Sequence, residues 1–171
     1  MTSRAKKIRF LGEAQGQGAS RTLLKDLGDV ALDFREVPRA LVMQCPDGCG
    51  QILSVNLDKR SGKAWRLYGH GDKLTLYPSV WREEGCEAHF IVWKGQILWC
   101  DGHTDIVWND PELVGRVNQL LAAVSPQTRN YVDIAQHLDA IPWEVLWACQ
   151  SLVTARKAAR RNQSEFFVPL P

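Results

Sequence analysis

The 171-residue sequence has no apolar run long enough to cross a membrane, and its first residues lack a signal-peptide pattern. Its net charge is only +2, so no strong overall field favours binding to nucleic acid or to a membrane surface. Five cysteines are an odd number, which argues against complete disulfide pairing. We therefore expect a cytoplasmic protein whose thiols stay reduced and can serve as metal ligands.

Two short motifs supply four side chains that bind zinc well. Cys45 and Cys49 form a C-x3-C pair around Gly48, and Cys86 and His89 form a C-x2-H pair. Pairs with this spacing can bind one ion from a single turn, and two such turns complete the tetrahedral shell of a structural zinc. The sequence predicts one structural Zn²⁺ per chain, held by these four residues.

Cys100 is an alternative to His89 as the fourth ligand. Residues 90–93 and 96–99 read as two strands joined by a Lys-Gly turn, and the simplest register places His89 opposite Cys100. Directly opposed residues are close enough for both side chains to approach one ion. A second, weaker site at Cys100 and His103 also remains open, as does a role for Cys100 as a small buried apolar residue.

The periodicity of apolar residues predicts an α+β protein in three parts. Residues 1–28 are basic and then rich in Gly, Gln and Ser, so we expect a flexible arm. Residues 29–108 alternate in the manner of short antiparallel strands and predict a small zinc-stabilised β module with knuckles like those of zinc ribbons and RING domains. Residues 109–171 change to a helical period.

The helical part resembles a helix-turn-helix region. An Asn-Asp-Pro-Glu start predicts a helix to about residue 124, and two further helices are predicted over residues 131–138 and 143–161. A short strand is expected after them, in the position of a truncated wing. Cys149 lies in the apolar stripe of the last helix, so we assign it to the core.

No catalytic group is evident from the sequence. Neither Ser54 nor Ser79 has a recognisable histidine partner, and no glycine-rich phosphate loop precedes a helix. A catalytic zinc would keep an open coordination position, whereas four good ligands are available here. We therefore expect no enzyme acting alone.

The zinc motifs and their flanking strands resemble one known family. The matching stretches are LVMQCPDGCG at residues 41–50, LTLYPSV at 74–80, CEAHFI at 86–91 and ILWC at 97–100. The family consists of small bacterial zinc-ligand proteins encoded beside ubiquitin-like proteins, E1-like and E2-like enzymes and JAB-type peptidases. Relatives often carry a cysteine where this chain has Asp47 and a small residue where it has Cys100, which favours the four ligands chosen above.

The resemblance implies an accessory protein of a bacterial ubiquitin-like conjugation system, acting in antiviral defence. On that basis we expect a non-catalytic zinc adaptor, with the docking role that RING-type ligases fill. Its partners would be E2-like or E1-like enzymes or the ubiquitin-like protein, and Trp81 and Trp93 are the candidate contact residues. The alternative is a DNA-binding regulator that uses the helix-turn-helix region, although the near-neutral charge makes nucleic-acid binding unlikely.

Overall fold

A computed structural model describes residues 4–102 and 108–170. The chain divides into two compact units, Met1–Thr104 and Asp105–Pro171. Both units mix helices with short sheets, so the α+β class is confirmed. Within the described ranges, no helix is long and apolar enough to span a membrane.

A four-stranded sheet forms one half of the first unit. Its order is β1-β2-β3-β4, with the strands at Arg9–Ala14, Asp29–Arg35, Val37–Gln44 and Ile52–Asn56. The last three strands form the predicted antiparallel meander. Strand β1 instead pairs with β2 in parallel, because helix α1 at Gln17–Leu23 carries the chain back between them.

The prediction of a flexible arm over residues 1–28 is therefore wrong for its described part. Asp29 begins β2 and is fully buried, and its carboxylate accepts hydrogen bonds from Arg9 Nε at 2.8 Å and Arg9 Nη2 at 2.9 Å. The backbone N–H groups of Lys25 and Asp26 donate to the same carboxylate at 2.9 and 2.8 Å. These contacts tie the N-terminal residues to the sheet despite their low hydrophobicity.

Two smaller sheets complete the first unit. Strands β5 at Arg66–Tyr68 and β6 at Thr75–Tyr77 form a pair. Strands β7 at Val80–Trp81, β8 at His89–Trp93 and β9 at Gln96–Trp99 form a three-stranded sheet in that order. The predicted register of β8 and β9 is confirmed, with Phe90 opposite Trp99 and Trp93 opposite Gln96.

The turn between β8 and β9 fits its neighbours closely. Gly95 has φ +77°, and a Cβ atom added there would lie 1.8 Å from the carbonyl oxygen of Asp72. Any larger residue would collide with that backbone, in a conformation that side chains already disfavour. Glycine at this position therefore lets the hairpin turn pack against the loop before β6.

The core of the first unit lies between these sheets. Phe90, at the centre of the last sheet, is fully buried and packs against Trp99 with ring centroids 5.6 Å apart. Other core residues lie in or next to strands of all three sheets: Ile8, Val30, Leu41, Met43, Val55, Leu74, Leu76, Val80, Val92 and Ile97. Trp93 is only 8% exposed. The expectation that Trp93 offers a docking surface is wrong, because its side chain is buried within the first unit.

The second unit contains three helices and a small sheet. The helices are α2 at Pro111–Ala123, α3 at Tyr131–His137 and α4 at Pro142–Thr154. Strands β10 at Arg129–Asn130, β11 at Ala159–Arg160 and β12 at Glu165–Phe167 pair in the order β10-β12-β11. The three predicted helices are present, but a helix-turn-helix is not established by them and stays a prediction.

Local chemistry explains where these helices begin and end. The Asp110 side chain accepts from the Leu113 N–H at 2.9 Å and caps α2, as its sequence predicted. Helix α4 ends at Thr154, short of the predicted residue 161, because Arg156 adopts φ +59° and the Lys157 and Ala158 N–H groups both donate to the Leu152 carbonyl. Cys149 is fully buried in α4, where burial raises its pKa to about 12, as expected for a core residue.

Candidate active site and cysteine cluster

Three of the four predicted zinc ligands lie together in the first unit. The Sγ atoms of Cys45, Cys49 and Cys86 all lie within 4.8 Å of one another, and this cluster could hold a metal ion. The Cys45 and Cys86 sulfurs are 3.7 Å apart. Two thiolates bound tetrahedrally to one zinc are expected about 3.8 Å apart, given Zn–S bonds of about 2.3 Å. The spacing fits a zinc ion.

A tight turn after β3 presents the first two cysteines. The Cys45 N–H donates to the Gln51 carbonyl at 2.8 Å, and the Gly48 N–H donates to the Cys45 carbonyl at 3.3 Å. Gly48 and Gly50 both have positive φ, at +88° and +77°. Glycine accepts this conformation without strain, which lets the chain reverse within five residues and bring both sulfurs to one side.

Arg82 adds a positive charge to the cluster. Its Nη1 lies 3.4 Å from the Cys49 sulfur and 3.6 Å from the Cys86 sulfur. Burial raises the pKa of the Cys45 thiol to about 12. Burial also acts to raise the pKa of Cys49, but the Gln51 N–H, the two other thiols and the charge of Arg82 together hold it below the usual value. These surroundings thus favour the thiolate form at Cys49 and disfavour it at Cys45.

His89, the fourth predicted ligand, does not belong to this cluster of the described residues. Its Nε2 atom lies 3.0 Å from the Oγ atom of Ser79. The interpretation that Ser79 has no histidine partner is therefore wrong. In the tautomer protonated at Nδ1, the Ser79 hydroxyl donates to Nε2, which is the arrangement of a nucleophile beside its general base.

Regular backbone structure positions both members of this pair. Ser79 immediately precedes β7, and its carbonyl accepts a hydrogen bond from Trp65 Nε1 at 3.2 Å. His89 begins β8, where it lies opposite Trp81 of β7. On its other side, the His89 carbonyl accepts from the Cys100 N–H at 2.9 Å. The imidazole is thus carried by the central strand of the sheet, which limits its movement relative to the hydroxyl.

The aromatic ring of Trp81 covers part of the pair. Its centroid lies 5.7 Å from that of the His89 ring, with the planes 35° apart, while Trp81 as a whole is 60% exposed. Ser79 and His89 are half-buried. Both residues are therefore only partly enclosed, and the indole covers one side of the imidazole.

Cys100, the alternative ligand, lies apart from the cysteine cluster of the described residues. It is exposed at the end of β9, and desolvation together with the charge of Asp101 raises its pKa. Its partner in the second predicted metal site, His103, lies outside the described residues. The structure thus separates two groups of residues, the Ser79–His89 pair and the cluster of Cys45, Cys49 and Cys86.

Comparison with known families gives this geometry a context. A family model described as a bacterial ubiquitination-like system serine protease (BubE) matches residues 20–100, just under half of the chain. The matched segment contains Ser79, His89 and all three clustered cysteines. No curated protein and no solved structure gives a match. The match supports the association with bacterial ubiquitin-like systems that the sequence resemblance implied.

The same match overturns the predicted function. A non-catalytic zinc adaptor, with a DNA-binding regulator as the alternative, is contradicted because the matched family is described as a serine protease. Sequence reasoning considered His89 only as a metal ligand and so missed its contact with Ser79. The sequence shows a serine ten residues before a histidine, a spacing that does not by itself indicate that the two side chains meet.

Proposed function

We propose that this chain is the serine protease component of a bacterial ubiquitination-like system, with Ser79 as nucleophile and His89 as general base. The hydrogen bond of 3.0 Å between Ser79 Oγ and His89 Nε2 carries the proposal. A serine hydroxyl is a weak nucleophile at neutral pH, and an adjacent imidazole activates it by accepting its proton. The match to a family described as a serine protease covers both residues.

The chemistry of the pair is peptide hydrolysis in two stages. Ser79 Oγ attacks the scissile carbonyl carbon while its proton passes to His89 Nε2, giving a tetrahedral intermediate. When the C–N bond breaks, the protonated imidazole gives that proton to the leaving amine, and an acyl ester remains on Ser79. A water molecule then attacks the ester, with His89 again accepting the proton, and releases the carboxylic acid and the free serine.

The cysteine cluster supports this site from the adjoining loop. We propose that Cys45, Cys49 and Cys86 hold one Zn²⁺ as thiolates and so supply three of the four ligands of a tetrahedral zinc site. Cys86 lies within residues 82–88, the segment that connects β7 to β8. A bound ion would fix that segment to the turn after β3 and so hold the nucleophile strand and the base strand in register.

The substrate class follows from the same context. We propose a protein substrate of the conjugation system, namely its ubiquitin-like protein in precursor or conjugated form. A half-buried serine beside an exposed tryptophan suits an extended polypeptide better than a small molecule that needs an enclosed cavity.

Two variants and one control test the proposal. Ser79→Ala and His89→Ala should each reduce cleavage of a peptide-extended ubiquitin-like protein from such a system by about 10³-fold or more. Ser54→Ala, an exposed serine on β4, should leave the rate unchanged. An alkyl fluorophosphonate should label wild-type protein at Ser79 and fail to label His89→Ala.

Measuring the zinc content distinguishes a role of His89 as general base from a role as zinc ligand. Zinc measured by elemental analysis should remain at one equivalent in folded His89→Ala and disappear in Cys45→Ser. Cleavage that persists in Ser79→Ala would refute the nucleophile. Loss of zinc from folded His89→Ala would return His89 to the metal site and refute its role as a base.

A further inference from the structure

Strand β7 has one edge, at Trp81, that no described strand pairs with, close to the candidate nucleophile. In the described part of the first unit, β7 pairs with β8 alone. The Arg82 N–H donates to the Ala88 carbonyl at 3.0 Å, so residues 82 and 88 form a hydrogen-bonded pair of the antiparallel ladder. Such pairs alternate with non-hydrogen-bonded ones. The next pair, Trp81 and His89, must therefore direct its backbone polar groups away from each other.

The pairing of β8 with β9 independently shows that Trp81 and His89 do not hydrogen-bond to each other through their backbones. The Cys100 N–H donates to the His89 carbonyl, so the polar backbone groups of His89 face β9. They are then unavailable to β7. It follows that the N–H and C=O of Trp81 both point to the outer edge of β7, at a residue that is 60% exposed.

This edge leads to Ser79, whose carbonyl already accepts a hydrogen bond from Trp65 Nε1 at 3.2 Å, so the backbone groups open to a new partner are those of Trp81. Successive residues of an extended strand rise about 3.3 Å, and side chains two residues apart share a face. Ser79 is two residues before Trp81, so its hydroxyl lies on the same face, about 7 Å along the strand. The indole of Trp81 and the hydroxyl of Ser79 both reach the imidazole of His89, which confirms that they share this face.

We propose that the substrate segment preceding the scissile bond binds as an extra antiparallel strand on the free edge of β7. The inference rests on the proposed function and deepens it by specifying how the polypeptide is held. Because the added strand runs against β7, the residue whose carbonyl faces Ser79 is two positions after the residue that faces Trp81. The third residue before the scissile bond thus donates its N–H to the Trp81 carbonyl and accepts from the Trp81 N–H.

The pairing also specifies side-chain preference. Directly opposed residues of an antiparallel pair place their side chains on the same face. The side chain of the third residue therefore lies beside the exposed indole of Trp81, which favours an apolar or aromatic group there. The N–H and the side chain of the second residue before the scissile bond point away from Trp81. We therefore expect no preference for a particular side chain at that position.

Serine-reactive peptide phosphonates test the pairing on the full, unmodified chain. The probes are a small alkyl fluorophosphonate, an acetyl-trialanyl diphenyl phosphonate, and two versions of the latter methylated on one amide nitrogen. Methylation at the third residue before the phosphorus removes the hydrogen bond to Trp81 and should slow labelling of Ser79 about tenfold. Methylation at the second residue is the matched control and should change the rate less than about twofold.

Hydrogen exchange supplies a second readout. The Trp81 amide should exchange more slowly in protein labelled with the trialanyl probe than in protein labelled with the fluorophosphonate, whose alkyl group cannot pair. Labelling by the small probe together with equal rates for both methylated peptides and an unchanged Trp81 amide would overturn the strand pairing alone. Absence of labelling by every probe would remove the proposed nucleophile, and this inference with it.

Discussion

Replacing Asp29 by asparagine should loosen the first unit by breaking the buried contact that ties β1 to β2. The Asp29 side chain is 1% exposed, and its carboxylate accepts two hydrogen bonds from Arg9 and two from backbone N–H groups. Asparagine can keep one acceptor oxygen for three of these donors. Its NH₂ group would face Arg9 Nε, so that two donors would be opposed.

The size of the effect follows from the bonds that are lost. A hydrogen bond to a charged group contributes about 1.5–3 kcal/mol, and asparagine loses one of them and weakens the others. Arg9 is 54% exposed, so water can solvate its freed donor and reduce the cost. We expect the free energy of unfolding of the first unit to fall by about 2–3 kcal/mol at pH 7.

The effect should depend on pH with a definite sign. Desolvation alone would raise the pKa of Asp29, but its hydrogen bonds with Arg9 and with the Asp26 and Lys25 N–H groups outweigh burial and lower it. A depressed folded-state pKa stabilises the protein above the unfolded value of about 4 and loses that contribution as the pH falls through the folded value. The difference between wild type and Asp29→Asn should therefore shrink below pH 4.

Native-state hydrogen exchange of the β2 and β3 amides measures this quantity without interference from the second unit. Asp26→Asn is the matched control, since the Asp26 side chain is 71% exposed although it also contacts Arg9, and it should cost less than about 0.5 kcal/mol. A loss below 0.5 kcal/mol for Asp29→Asn at pH 7, or an undiminished loss at pH 3, would refute the reasoning.

Three further predictions test other parts of the chain. Cys86→Ser should abolish zinc binding, measured by elemental analysis, and slow fluorophosphonate labelling at least tenfold. The control Cys100→Ala should change neither quantity. Equal zinc content in both variants would contradict zinc binding by the cluster. Gly95→Ala should lower the free energy of unfolding by about 3 kcal/mol or more in urea, because its Cβ would collide with backbone, while Gly102→Ala, with open space around it, should be neutral. Asp110→Ala should cost the second unit about 1 kcal/mol through loss of the α2 cap, measured by exchange of that helix's amides; full protection would argue against the cap.

The elements that sequence reasoning predicted well are those whose geometry is set locally. The Lys94-Gly95 turn permits few registers, so the pairing of β8 with β9 followed from the chain itself. The cysteine turn was equally local, since Gly48 and Gly50 mark the reversal that brings Cys45 and Cys49 together. Spacing and turn chemistry sufficed at these positions because the turn residues themselves fix which residues come together.

The contact of Ser79 with His89 could not be predicted in the same way. Seven residues connect β7 to β8, a length that does not fix which residues oppose each other. The spacing of Cys86 and His89 also fits a zinc knuckle, so the same histidine satisfied two patterns. Only the tertiary pairing of Trp81 with His89 shows that the imidazole faces Ser79.

The prediction of a flexible arm at the N-terminus failed for a different reason. Its glycines, glutamines and polar residues indicate disorder when each is considered locally. What orders it is the contact of Arg9 with a carboxylate 20 residues later and the parallel pairing that the contact accompanies. Parallel pairing leaves no turn signal in the sequence, because the partners are joined by a helix rather than by a hairpin.

The short chain separation of Ser79 and His89 has a consequence for how the protein folds. The contact of Ser79 with His89 spans 10 residues, whereas that of Cys45 with Cys86 spans 41. Closing the longer loop costs about 1.2 kcal/mol more entropy, and a 10-residue loop closes in roughly 10–100 ns. The hairpin that places the hydroxyl beside the imidazole is therefore expected to form early, before the cysteines meet. In a newly made chain, the proposed nucleophile and base would then come together as a local unit, and the proposed zinc ion would bind in a later step.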